Sequence, residues 1–198
     1  MEMLERYIST ELVVKKSRFL NELFPCREQD EARALIKAQK AKSADASHVV
    51  HAFALGPAAE ILGMSDDGEP SGTAGRPMLD VLKGRGCTNL VLTVTRWFGG
   101  VLLGTGGLVK AYGDCAKSVL AAADAQGAFS KFIARTEFSF SADYAFYKAA
   151  RHILAQFSVS ALREEFGADV LVAGSVPADE HAALAARLRE ASGGRISI

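Results

Sequence analysis

The sequence predicts an α+β chain of two domains, and two observations carry that prediction. Beyond Lys131 the strand and helix signals follow the order βαββαβ, the ferredoxin-like pattern. Ahead of them the stretch Asn89 to Tyr112, NLVLTVTRWFGGVLLGTGGLVKAY, reads as a strand, a glycine loop and a helix. Leu90 to Thr95 form an apolar, Val- and Thr-rich run of strand length. Gly99, Gly100, Gly104, Gly106 and Gly107 then place five glycines in nine residues, where the backbone is free to take positive φ or approach a neighbour closely. Leu108, Tyr112, Cys115 and Val119 follow at i, i+4, i+7 and i+11, one apolar face of a helix.

The elements before this stretch follow from their own patterns. ELVVKK and RFLNELF, within Glu11 to Phe24, are two extended candidates that suggest a hairpin. Asp30 is placed to cap a helix to about Ala41, with Ala32, Leu35, Ile36 and Gln39 on one face and Lys37, Lys40 and Lys42 solvated. His48 to Leu55 is a strand ended by the turn pair Gly56-Pro57. Gly63 to Gly75 is loop by composition. Pro77 fits the first turn of a helix to about Lys83, with Met78, Leu79, Val81 and Leu82 inward, closed by Gly84 and Gly86.

After the long helix, Gln126-Gly127 and the short break to Lys131 mark the expected boundary between residues 1–130 and 131–198. In the second part FIARTEFSFS alternates as a strand, and Asp143 caps a helix through Gln156. FSVSALREEF and ADVLVAGSV are two more strands, Asp179 to Ala191 a helix, and RISI a final short strand.

Composition bounds the function. The 198 residues are 49% hydrophobic, enough for a real core, and Lys+Arg equal Asp+Glu at 23. No overall basic field draws the chain to nucleic acid or anionic membranes, so any polyanion binding must be local. Cys26, Cys87 and Cys115 are odd in number with no CxxC, which indicates neither a disulfide framework nor a zinc site and fits a reducing cytoplasm. The start, MEMLERYIST, lacks the basic region of a signal peptide, and no run approaches the ~20 apolar residues of a membrane span.

Candidate chemistry is sparse. No GxSxG elbow, HExxH, Walker lysine or Rossmann fingerprint is present, and GGVLLGTGG lacks the GK[ST] of a phosphate loop. His48 and His51, three apart on one strand, point to opposite faces and cannot form one metal pair. Asp66, Asp67 and Glu69 offer oxygen ligands to a cation, or equally an Asx-turn whose side chains accept loop N–H groups. Cys115 sits on the apolar stripe as core. Arg96, at the end of its strand beside free loop N–H groups and a helix N-terminus, suggests an anion site.

SDDGEPSGTAG at Ser65 to Gly75, followed by TRWFGG, LGTGGL and the pair Ala111-Tyr112, resembles the paired signature of the YigZ/IMPACT family. The resemblance covers Lys16 to about Ala123 and, more weakly, Ser130 to Ile198. It implies an α/β sandwich like domain IV of elongation factor G, followed by a ferredoxin-like domain like its domain V. It also implies a role in RNA or ribosome binding and regulation of translation. Departures from the family pattern stand out: His51 replaces a usual Tyr or Trp, Ser47-His48 replaces a usual Thr-His, and Trp97 replaces the commoner Tyr.

The leading expectation is a non-enzymatic cytoplasmic regulator of translation without metal or cofactor, whose partner is RNA or the ribosome. Its anion- or RNA-binding residues are Arg96, Trp97, Phe98, Gly99, Gly100, Gly104, Gly106, Gly107 and Lys110. A loop site of His48, Asp66, Asp67, Glu69, Ser71 and Thr73 is expected to meet the glycine loop in space. One alternative is an enzyme for a small anionic substrate, with the acidic loop as acid, base or metal ligand, His48 as proton shuttle and Arg96 as clamp. Another is an adaptor that docks a protein partner on its ferredoxin-like sheet.

Overall fold

The run predicted as a strand at Leu90 to Thr95 lies at the centre of a five-stranded sheet. The computed structural model describes all 198 residues, which divide into two compact units, Met1–Phe132 and Ile133–Ile198. The first runs β1 (Glu2–Leu4), β2 (Ile8–Val14), β3 (Ser17–Pro25), α1 (Gln29–Lys42), β4 (His48–Leu55) and β5 (Ile61–Ser65). It continues with α2 (Gly75–Arg85), β6 (Cys87–Thr88), β7 (Leu90–Trp97), α3 (Thr105–Ala125) and β8 (Phe129–Lys131).

Its main sheet has the order β2-β3-β7-β4-β5, antiparallel throughout. The period of two along β7 sorts its side chains between two layers. Leu90, Leu92 and Val94 join Phe19, Leu23, Val50 and Ala52 beneath α2 and α3, where the predicted stripe Leu108, Tyr112, Cys115 and Val119 completes the larger core. Val91 faces the other way, with Phe53, Leu55, Ala32 and Ile36, under α1 alone. β1, β6 and β8 form a separate three-stranded sheet.

Several details depart from expectation. Glu28, not Asp30, occupies the cap position of α1, and its side chain makes no capping bond. Gly63, expected in a loop, lies within β5 opposite Phe53, whose ring covers it; a Cβ there would meet that ring at 2.1 Å. The break after Gln126 is no open linker, since β8 pairs with β1.

In the second unit β9 (Arg135–Ala142), α4 (Tyr144–Leu154), β10 (Ser160–Phe166), β11 (Val170–Pro177) and α5 (Ala178–Ala191) form a three-stranded antiparallel sheet, order β10-β11-β9, with two helices. Asp143 caps α4, its Oδ1 accepting the Phe146 N–H at 2.7 Å. RISI is not a strand, which corrects the sixth element of the predicted order. The Ile196 N–H donates to Ser192 Oγ at 3.0 Å, and Arg195 donates to the Ser192 carbonyl and to Asp143. The tail is thus tethered to the end of α5, and Ile196 is buried in the core.

Candidate functional site

Arg96 continues the parity of Leu90, Leu92 and Val94, so its side chain enters the layer beneath α2 and α3 rather than solvent. It is 5% exposed and Glu69 is 8% exposed. A buried guanidinium needs a carboxylate, and Glu69 supplies it: Nη1 donates to Oε1 at 2.7 Å. Tyr112, on the stripe of α3, donates its hydroxyl to the same oxygen at 2.7 Å. Burial raises the Tyr112 pKa, and the Glu69 carboxylate beside it raises it further. Nη2 of Arg96 reaches Ser17 Oγ at 3.3 Å, while its Nε is buried without a partner.

This arrangement corrects the expected anion clamp. The guanidinium charge is already neutralised by Glu69, so Arg96 is not a free cation for phosphate. Lys110 does not add a second cation: its ammonium pairs with Asp114 at 2.5 Å on the exposed side of α3. Gly106 and Gly107 lie in the first turn of α3 rather than in the loop.

The acidic loop divides its labour. Asp66 Oδ1 accepts from the N–H groups of Ala74 and Gly75 at 3.0 and 2.8 Å, and Oδ2 from that of Gly72 at 2.8 Å. Burial alone would raise its pKa, but these three donors outweigh it and hold the carboxyl below its ordinary range. Asp67 accepts the β4 N–H of Val49 at 2.7 Å, beyond the last residue paired with β5, and binds the Lys40 ammonium. Its pKa is also lowered, against the effect of burial, by Lys40 and Val49. Thr73 donates to the Pro70 carbonyl at 2.6 Å, and Ser71 is exposed. Asp66 and Asp67 are therefore loop-building residues, their carboxylate oxygens taken up by backbone N–H groups and by Lys40. No grouping of three or more His, Cys, Asp or Glu is placed to hold a metal ion.

The two signature loops do meet. Gly68, Glu69 and Pro70 from one side, and Phe98 with Leu102 to Thr105 from the other, line a cavity of about 520 Å³ that Ser47, His48, Arg96 and Leu108 complete. Nδ1 of His48 donates to the Asp67 carbonyl at 2.8 Å, since a carbonyl only accepts. This leaves Nε2 facing Glu69 Oε2 at 3.9 Å within the cavity. His51 points to the α1 side, as the spacing predicts, and stacks on Phe53.

The rim is apolar. Phe98 is 47% exposed and Leu102 82% exposed. The Phe98 N–H donates to Ser47 Oγ at 3.1 Å. Trp97 faces away from the cavity, its Nε1 donating to Asp45 at 2.9 Å. Gly99 is required by close approach: a Cβ there would lie 2.0 Å from the Lys16 carbonyl group. Gly104, at φ +76°, precedes α3 in a conformation that costs other residues strain.

The Impact N-terminal domain matches residues 15–120. The chain belongs to the IMPACT family. A domain of unknown function matches residues 140–195. The IMPACT family member YigZ of Escherichia coli (strain K12) is 35% identical over 93% of this chain and 90% of its own. A Haemophilus influenzae family member is 34% identical over 93% and 89%. A solved structure of a hypothetical protein superposes with a TM-score of 0.71 at 33% identity, covering the whole of this chain and 96% of the other.

Sequence reasoning named Arg96 and Glu69 separately and missed their pairing, together with the parts of Ser17, Ser47, Leu102 and Tyr112. A signal was present. Arg96 shares the parity of three core residues, and Tyr112 lies mid-stripe, so both polar ends required a buried partner.

Proposed function

We propose that this IMPACT family member is a non-enzymatic regulator of translation that binds single-stranded RNA, with the cavity above Glu69 and Arg96 receiving a nucleobase. The half-exposed Phe98 ring at the mouth of that cavity carries the reading. Base–aromatic stacking tolerates any sequence and needs no net positive charge, which suits a neutralised floor. Within the cavity Glu69 Oε2 accepts no hydrogen bond and His48 Nε2 is free, so both are available to the edge of an inserted base. Leu102 and Leu103 supply apolar walls. Membership of the IMPACT family, for which the sequence resemblance implies regulation of translation, supports translation as the setting.

The enzyme alternative retains one observation, the approach of His48 to Glu69 inside a cavity of small-molecule size. It loses its clamp, because Arg96 is paired, and its acidic ligands, because Asp66 and Asp67 are engaged. Trp97, the only tryptophan, adjoins Phe98 and provides the test. Titration with a mixed-sequence single-stranded RNA octamer should change its fluorescence saturably. Phe98→Ala should weaken binding by ~1–3 kcal/mol while leaving the fold intact. Saturable binding unaffected by Phe98→Ala would contradict the reading.

A further inference from the structure

The cavity accounts for a base but not for the phosphates that carry it, since Arg96 is neutralised and Lys110 turned away. Exposed cations also stand at the tip of the β2–β3 hairpin, where the Lys16 carbonyl packs on Gly99, next to Phe98. We infer that the hairpin tip, Lys15 and Lys16 with Arg18, is the phosphate-binding surface of the RNA site, an inference that rests on the RNA reading above.

Val14 pairs with Ser17, so Lys15 and Lys16 form a two-residue turn, and their φ values are +45° and +69°. Positive φ at both positions is the mirror-type turn that Asn-Gly adopts without strain. Six residues other than glycine take positive φ in this chain, and these two are the only adjacent pair. Two lysines held where glycine belongs cost stability, and strain kept in the fold points toward function.

Lys15, Lys16 and Arg18 are exposed, and neither lysine has an ion-pair partner. Gly99 packs directly on the Lys16 carbonyl, and both the Gly99 N–H and the Arg96 guanidinium donate to Ser17 Oγ. The tip is therefore held against the loop that carries Phe98. Arg18 lies opposite Trp97 in the ladder, its guanidinium 3.7 Å from the ring centroid on the sheet face turned away from the cavity, where a strand crossing the hairpin tip would meet it. The acids nearby are Glu11, 3.7 Å from Arg18 and half exposed, and Asp45 on the Trp97 indole. Three cations against two carboxylates leave a modest positive excess, interleaved with aromatic rings in the manner of surfaces that track single-stranded nucleic acid. A chain of neutral overall charge gains a local footprint this way.

The turn itself supplies the discriminating variant. Replacing Lys15 and Lys16 by Asn and Gly, K15N/K16G, installs the residues that this backbone prefers, so the fold is expected to gain thermal stability. RNA affinity should instead fall. Each lost phosphate contact on a single strand lowers the slope of log affinity against log salt by about 0.7, or about fivefold in affinity at 0.1 M salt. Octamer binding should thus weaken about 25-fold in K15N/K16G, and further in a variant that adds Arg18→Gln, with the salt slope falling in step. Binding by the K15N/K16G protein with unchanged affinity and salt slope would overturn the hairpin while leaving the cavity reading in place. Loss of binding with an unchanged salt slope would also overturn it. Absence of RNA binding by the unaltered protein would overturn both.

Discussion

The two faces of the five-stranded sheet are built from the same strands yet satisfy their polar groups differently. Beneath α2 and α3 a large apolar core surrounds one ionic cluster, in which Arg96 and Tyr112 both donate to Glu69, and only Asn21 Oδ1 and Arg96 Nε are buried there without a partner. Beneath α1 a smaller apolar cluster adjoins Glu22, Gln39, His51, Thr93 and Thr95, each of which keeps a buried polar atom without a protein partner. Register places Glu22, Thr93 and His51 side by side across β3, β7 and β4. The lesson is that the ordered, costly interactions lie on the face that supports the cavity. The opposite face carries five of the buried polar atoms that lack a protein partner, against two on the cavity face.

Breaking the ionic cluster should have the largest effect. Arg96→Ala leaves Glu69 buried without its counter-ion, and Glu69→Ala leaves the guanidinium so. Each should cost ~3–5 kcal/mol in chemical denaturation. Tyr112→Phe removes one hydrogen bond to a charged acceptor and should cost ~1.5–3 kcal/mol. On the α1 face the sign changes: Thr93→Val removes an unpartnered hydroxyl and should be neutral or stabilising by up to ~1 kcal/mol. A loss of several kcal/mol in Thr93→Val would erase the contrast between the faces.

Titration should separate the faces by pH. Burial lowers the His51 pKa, with Lys40 adding to the shift, so the folded state holds the neutral ring. That contribution is complete above the unfolded value near 6.5 and is lost as pH falls below it. The pKa values of Asp66 and Asp67 are lowered as well. Their contribution is complete above the unfolded value near 3.9 and is lost as pH falls through the folded values. Amide exchange on α1 and β4 should therefore quicken from about pH 6.5 downward, while the loop from Asp66 to Gly75 loses protection only below about pH 4. The smallest effect is expected for Phe98→Ala, whose exposed ring should alter the melting temperature by no more than a degree or two.

Much of this was legible in the sequence, and the exceptions have physical reasons. The stripe on α3, the strand parity of β4 and β7 and the Asp143 cap follow from local periodicity and capping chemistry. β1, β6 and β8 are three, two and three residues long, too short for periodicity to show. The Glu69–Arg96 pair spans 27 residues of chain, a separation over which no spacing rule operates. RISI has strand composition, but Ser192 and Asp143 claim its first polar groups. The cations of the hairpin tip read as ordinary surface until the positive φ angles of their turn are known.

Amide chemical-shift mapping tests the central claim most directly. On titration of the full chain with the single-stranded RNA octamer, the largest shifts should fall on Gly68, Glu69, Phe98, Gly99 and Leu102 to Leu108, with a second group at Lys15 to Arg18. The Trp97 indole resonance should move with them. Saturable shifts confined to α1 or to the second unit, with the cavity and hairpin tip unmoved, would contradict the account.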